Sequence, residues 1–321
     1  MKKIAFLFPG QGSQEVGMAR DLFESDPFFK SLIELGSDYC HEDLEKICLT
    51  GPEKTLRYAR FLQPILAAVC FGYHKKLIDS GIKPDFVLGH SLGEITSLGA
   101  AGVLSYEDAV IVAAKRGELM DTAAAKCNGT MMAVLFVSLE TVMEYIADMN
   151  DDGKIVLAND NAPNQVVLAG EIDALDAFAE RIIQEKTGRC RKLPVAGPWH
   201  SNCMTEARVV FEEWVRPVIY QKPHTPLILN ATGKEETDTD EIKYRNIWQL
   251  TRPVYWRESM ERCRSLGVDT LIEIGPGRVL SGLARVNGFK KGSNVYTANT
   301  IRGIEQIVSA VCENKISGDQ E

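Results

Sequence analysis

Apolar and polar positions in this chain switch between two periods, and the switches mark out the elements. Ile4-Ala5-Phe6-Leu7-Phe8 is an unbroken apolar run ending at Pro9, which predicts a strand buried on both faces. From residue 15 to 82 the pattern is helical, with interruptions expected at Pro27, Gly51-Pro52 and Gly72; Gln63-Pro64 is expected to open an apolar helix. Phe86 to Leu88, set off by Lys83-Pro84, predicts a second buried strand, and the small-residue run Leu92 to Ala101 predicts a helix after it. A further helix is expected from Ser105 to Ala124. Ala109, Val110, Ala113, Ala114 and Gly117 form its apolar face, and Arg116 lies beside that face.

Residues 128 to 197 change character. Strand patterns at 131–137, 155–158, 165–169 and 190–195 alternate with helical ones at 139–149 and 172–186, the two middle strands meeting at an Asn-Ala-Pro-Asn turn. The order βαββαβ is that of a ferredoxin-like unit, which can fold on itself inside a larger domain. Residues 1–127 and 198–321 are therefore expected to form a large α/β subdomain with a parallel sheet, and 128–197 an inserted small one. Leu227–Leu229 and Thr270–Ile274 supply further strands, the second turning at Gly275-Pro276-Gly277, a plain turn or a phosphate cradle.

Composition narrows the function. Lys plus Arg at 36 against Asp plus Glu at 44 leaves a net charge of −8, which argues against a nucleic-acid partner. An acidic partner would need a local basic patch, and Lys186, Arg189, Arg191 and Lys192 make the densest one. The N-terminal apolar run is too short for a signal peptide, and no run approaches the roughly 18 residues of a membrane span, so a cytoplasmic protein without membrane contact is expected. The eight cysteines contain no Cys-x-x-Cys pair, which favours reduced thiols over disulfides or zinc. With neither metal-ligand spacing nor a Walker loop, no metal or cofactor is expected.

Gly89-His90-Ser91-Leu92-Gly93 places a serine on a strand-to-helix turn between two glycines, the arrangement of a nucleophile elbow. A serine hydroxyl attacks carbonyls only when a base takes its proton and amides await the oxyanion. The Leu92 amide is one such donor. The loop Pro9-Gly10-Gln11-Gly12-Ser13-Gln14 either presents a second or is a simple turn. Among five histidines, His41, His74 and His224 have ordinary surroundings and His90 should point away from its neighbour Ser91; His200, in a loop at the expected subdomain junction, is the candidate base. Gln63 either lines the site or merely starts its helix. Arg116 is either a surface residue lying over apolar neighbours or a fixed fork for a carboxylate.

In order, Phe8-Pro-Gly-Gln-Gly-Ser-Gln, Gly-His-Ser-Leu-Gly-Glu, Lys-Arg-Gly-Glu-Leu-Met, His200-Ser201, Asn230 and Gly275-Pro-Gly-Arg-Val-Leu resemble the malonyl-CoA:acyl-carrier-protein transacylase family across roughly residues 4 to 300. The resemblance implies an α/β-hydrolase-like subdomain carrying Ser91 as nucleophile and His200 as its base. Gln249 would orient that base through its carbonyl, and the Gln11 and Leu92 amides would form the oxyanion hole. Arg116 would bind the free carboxylate of the acyl group, with His90, Met120 and Trp199 around the substrate. It implies malonyl-CoA and a phosphopantetheinylated acyl carrier protein as partners, and neither metal nor ATP. Trp199 departs from the phenylalanine or serine common at that position in relatives, which bears on acyl choice. A polyketide-pathway acyltransferase or an acyl hydrolase on the same scaffold is the alternative.

Overall fold

The computed structural model describes residues 3–149, 153–289 and 294–318. Its strands are β1 (Lys3–Phe8), β2 (Phe86–Gly89), β3 (Gly129–Leu135), β4 (Ile155–Ala162), β5 (Gln165–Glu171), β6 (Arg189–Lys192), β7 (Leu227–Ile228), β8 (Glu235–Glu236), β9 (Val268–Ile274) and β10 (Asn294–Ala298). They form a six-stranded sheet in the order β10-β9-β1-β2-β7-β8 and a four-stranded sheet in the order β4-β5-β3-β6.

In the larger sheet β1 runs parallel to both β2 and β9, β10 pairs parallel with β9, and β7 with β2. Phe6 and Phe8 pack into the core on one face of β1, while Ala5 and Leu7 pack into the core on the other. Alternate side chains meet helices on opposite sides, which is why the run Ile4–Phe8 of this strand has no polar position. The sheet is not wholly parallel as expected: the chain reverses at Gly233 (φ 59°) and β8 adds to β7 antiparallel as a short edge.

The helix Ala59–Asp79 corrects two expectations, since it begins before Gln63 and continues through Gly72. Pro64 cannot donate to the Arg60 carbonyl one turn back, and Cys40 Sγ takes that acceptor at 3.3 Å. At Gly72 a Cβ would stand 2.7 Å from Leu22 Cδ1, so this glycine permits close packing rather than a break. The helix Tyr106–Ala124 begins with the Ser105 hydroxyl accepting from the Asp108 amide at 2.9 Å. It crosses the first turn of Ala59–Asp79 so closely that a Cβ at Gly117 would lie 2.2 Å from the Ala59 carbonyl oxygen.

The smaller sheet is antiparallel throughout, with the strand order of a ferredoxin-like unit. Val142 and Ile146 from the helix Leu139–Met149, and Leu175, Phe178 and Ile182 from Ile172–Gln184, pack with Val134 and Leu168 in its core. β6 is shorter than expected and β4 longer, running on through Asn159, Asp160 and Asn161. Those polar residues tie the smaller sheet to elements that flank the larger one. Asp160 donates its amide to the Val254 carbonyl at 2.9 Å and pairs its buried carboxylate with Arg257 at 2.8 Å, and the Asn161 carbonyl accepts from Asn287 Nδ2 at 2.8 Å.

One cysteine expectation is also corrected: Cys127 and Cys203 are joined in a disulfide across 76 residues, while Cys40, Cys48, Cys70, Cys190 and Cys263 are free thiols. Spacing along the chain gave no sign of a pair that only the fold brings together. Among the described residues no helix is long and apolar enough to cross a membrane.

Candidate active site

The site is built on the sharp turn between β2 and the helix Leu92–Ala100. Ser91 sits there with φ 53° and ψ −110°, outside the ordinary regions for a side-chain-bearing residue. The two flanking glycines leave no room for a methyl: a Cβ on Gly89 would be 1.8 Å from the Gly93 oxygen, and one on Gly93 1.9 Å from the Phe8 oxygen. The bend is held by Asn230, whose Oδ1 accepts the Ser91 amide at 2.8 Å and whose Nδ2 donates to the Gly89 carbonyl.

The structure brings His200 to this serine across 109 residues, with Nε2 2.8 Å from Ser91 Oγ. His200 Nδ1 faces the carbonyls of Gln249 at 2.8 Å and Arg252 at 3.2 Å. Both can only accept, so Nδ1 carries the ring proton and the Nε2 lone pair faces the hydroxyl. Burial, and then the Arg116 charge, push the imidazole down to about 3, which keeps it neutral at pH 7 with its Nε2 lone pair free to accept a proton.

Arg116, on the helix Tyr106–Ala124, is fully buried and reaches the elbow serine. Its Nη1 donates to Gln63 Oε1 at 3.0 Å, and its Nη2 to Gln249 Oε1 at 2.9 Å and Ser91 Oγ at 3.3 Å. Nε has no hydrogen-bond partner, and among the described residues no carboxylate comes within ion-pair distance of the guanidinium. Burial lowers its pKa to about 10, so it remains a cation. A buried cation with no carboxylate in direct contact is costly, and its free Nε donor marks where an anion would be received.

Gln63 also donates through Nε2 to Gln11 Oε1 and Met120 Sδ, both at 3.3 Å, which gathers Gln11 and Met120 around the same fork. The Pro9–Gln14 loop packs directly on the elbow, since a Cβ on Gly10 would stand 2.5 Å from the His90 oxygen. Among the described residues the Gln11 amide has no acceptor, and the Leu92 amide, at the first helical position, has none within its helix. Trp199 is buried beside His200 with its indole Nε1 unpartnered and its ring against Gly197. His90 does not join the group: its ring turns from Ser91 to bond Asn161 Oδ1 at 2.8 Å and to meet Trp256 edge-on at 5.4 Å. The Gly275-Pro276-Gly277 turn holds no anion site either, because Glu273 already accepts the Leu280 and Ser281 amides at 2.9 and 2.8 Å.

Glu94 is a member that the sequence reading passed over. It lies on a helix otherwise made of small and apolar residues, fully buried. Its Oε2 accepts the Asn230 amide at 2.5 Å and its Oε1 accepts Gln249 Nε2 at 2.9 Å. Burial pushes its carboxyl up to about 7 against those hydrogen bonds and the Arg116 charge. A lone carboxylate three residues into a buried helix was the available signal. Taken together, the hydroxyl, the neutral imidazole and the unpartnered amides can form and resolve an ester with an acyl group, and the guanidinium can hold an acyl group that carries its own charge.

A sequence profile described as the acyl transferase domain matches residues 5–305. A malonyl CoA-acyl carrier protein transacylase of Bacillus subtilis is 37% identical over 286 residues, covering 89% of this chain and 90% of that protein. The solved malonyl CoA-acyl carrier protein transacylase of Clostridium perfringens superposes with a TM-score of 0.91 at 32% identity, over 99% of both chains. A malonyl-transacylase solved in complex with a type II polyketide-synthase acyl-carrier protein superposes with a TM-score of 0.90 at 29% identity, over 96% of this chain and all of that one.

Proposed function

This chain belongs to the acyl transferase domain family, and on that premise we propose that its Ser91–His200 pair carries a malonyl group from malonyl-CoA to the phosphopantetheine thiol of an acyl carrier protein. The protein is an acyl-carrier-protein S-malonyltransferase. His200 Nε2 takes the Ser91 proton as Oγ attacks the thioester carbonyl, and the Gln11 and Leu92 amides receive the oxyanion. CoA leaves as its sulfur takes the proton from His200, which frees the imidazole to deprotonate the carrier thiol. That thiol attacks the malonyl-Ser91 ester and restores the hydroxyl. One thioester is exchanged for another, so the chain of steps closes without metal or ATP. The carbonyls of Gln249 and Arg252 replace the carboxylate of a Ser-His-Asp triad in orienting the ring.

The observation that carries the malonyl assignment is the buried guanidinium of Arg116, within 3.3 Å of Ser91 Oγ and without an ion-pair partner among the described residues. A hydrolase of neutral acyl chains has no use for a cation at that point, so its presence favours transfer. Met120 and Trp199 are assigned to the wall of the acyl pocket. Residues 1–127 with 198–321 are assigned as the catalytic subdomain and 128–197 as the small one. The exposed basic residues Lys186, Arg189, Arg191 and Lys192 are assigned to carrier docking. The free thiols of Cys40, Cys48, Cys70, Cys190 and Cys263 support a cytoplasmic location, although the Cys127–Cys203 disulfide does not. Incubation with malonyl-CoA should add one malonyl mass to the peptide containing Ser91, and Ser91→Ala should abolish it. An adduct that persists in Ser91→Ala would refute the assignment.

A further inference from the structure

We propose that Glu94 is a positioning residue: through the side-chain amide of Gln249 it sets the direction in which Arg116 presents its fork to the acyl carboxylate. The inference rests on the reading of Arg116 given above and deepens it. Arg116 can only donate, so the end of Gln249 that meets it must be Oε1. The other end, Nε2, then needs acceptors, and it finds Glu94 Oε1 at 2.9 Å and the Ser91 carbonyl at 3.1 Å. An acceptor oxygen of Glu94 at that point, beside the Ser91 carbonyl, admits one amide orientation and disfavours the flipped one. The buried chain Glu94–Gln249–Arg116 thus fixes a guanidinium that has no carboxylate of its own, and leaves its remaining donors for the substrate.

Glu94 has a second contact, the Asn230 amide at 2.5 Å, and through Asn230 it touches the elbow. A purely structural role would act there, on Ser91 itself. The two roles separate in Glu94→Gln. The new amide keeps its oxygen on the Asn230 N–H, which leaves its NH2 group opposed to Gln249 Nε2. Turning Gln249 relieves that clash only by aiming its NH2 group at Arg116, another donor. The elbow keeps its Asn230 hydrogen bonds and loses only the Gln249 contact to the Ser91 carbonyl, while the fork loses its anchor. His200 is not affected by the turn, since it is held by the Gln249 main-chain carbonyl.

The test is Glu94→Gln in the intact chain, read by the KM for malonyl-CoA and by the rate at which a neutral fluorophosphonate labels Ser91. Loss of one charge-assisted hydrogen bond should raise the KM roughly tenfold or more, with labelling within about twofold of the parent. Equal losses in both readouts would overturn the proposal in favour of a structural role, and an unchanged KM would overturn it outright. Gln249→Met removes the relaying amide while keeping the main-chain carbonyl, and a parent-like KM in that variant would also overturn the relay. Failure of the unsubstituted protein to form malonyl-Ser91 would instead refute the transferase reading.

Discussion

Replacing Arg116 with alanine removes the guanidinium and nothing else that touches the reacting atoms. If a malonyl carboxylate accepts two charge-assisted hydrogen bonds there, at about 1.5–3 kcal/mol each, its loss costs roughly 3–6 kcal/mol of transition-state binding. That corresponds to a fall of about 10²- to 10⁴-fold in kcat/KM for malonyl-CoA. Acetyl-CoA carries no carboxylate, so its kcat/KM should hold or rise as the site loses an uncompensated cation. The substitution also strands Gln63 Oε1 and Gln249 Oε1 without their donor, at about 1–3 kcal/mol each. Relief of a buried charge offsets part of that cost, so a folded protein with a lowered melting temperature is expected. Arg116→Lys keeps the charge but not the planar fork, and should fall between the two. Single-turnover acylation by the two thioesters is the assay, since it isolates the step in which the carboxylate is bound. A parallel loss with malonyl-CoA and acetyl-CoA would refute the carboxylate clamp and leave Arg116 as a prop for Gln63 and Gln249.

Four further outcomes are expected. With its imidazole held near 3 by burial, the free enzyme should keep kcat/KM for malonyl-CoA through pH 6.5, and an acid limb centred at 6.5 would contradict a buried neutral base. The same shift makes the neutral ring's contribution to stability complete above the unfolded value of about 6.5; it is lost as pH falls towards about 3, at up to about 1.4 kcal/mol per pH unit. Charge reversal at Arg189 and Arg191 should raise the KM for the carrier protein but not for malonyl-CoA. Added salt should do the same to the parent, and a salt-insensitive carrier KM would remove that surface from consideration.

The parts legible in the sequence were those whose signal is local. The run Ile4–Phe8 has no polar position because both its faces are covered, and the glycines around Ser91 are needed for contacts within a few residues of the turn. The loop position of His200 pointed to its role once a serine needed a base. What stayed hidden depends on distant partners. The helical pattern set Arg116 beside an apolar face but could not show that Gln63 and Gln249 would bury it. Glu94 carries no local sign of its role, because only the fold brings Asn230 and Gln249 over it. Pro64 read as a helix start because nothing nearby revealed that Cys40, 24 residues earlier, would satisfy the freed carbonyl. The strand β4 was cut short at Ala158 because its last polar residues face the other sheet's elements instead of water.

That last feature sets a rule for engineering the molecule. Asn159, Asp160 and Asn161 engage Val254, Arg257, Asn287 and, through His90, the residue next to the nucleophile. A βαββαβ module transplanted from a homologue to alter carrier preference would therefore have to bring matching residues at 90, 254, 257 and 287. A chimera cut only at the two chain crossings would disturb the nucleophile from behind.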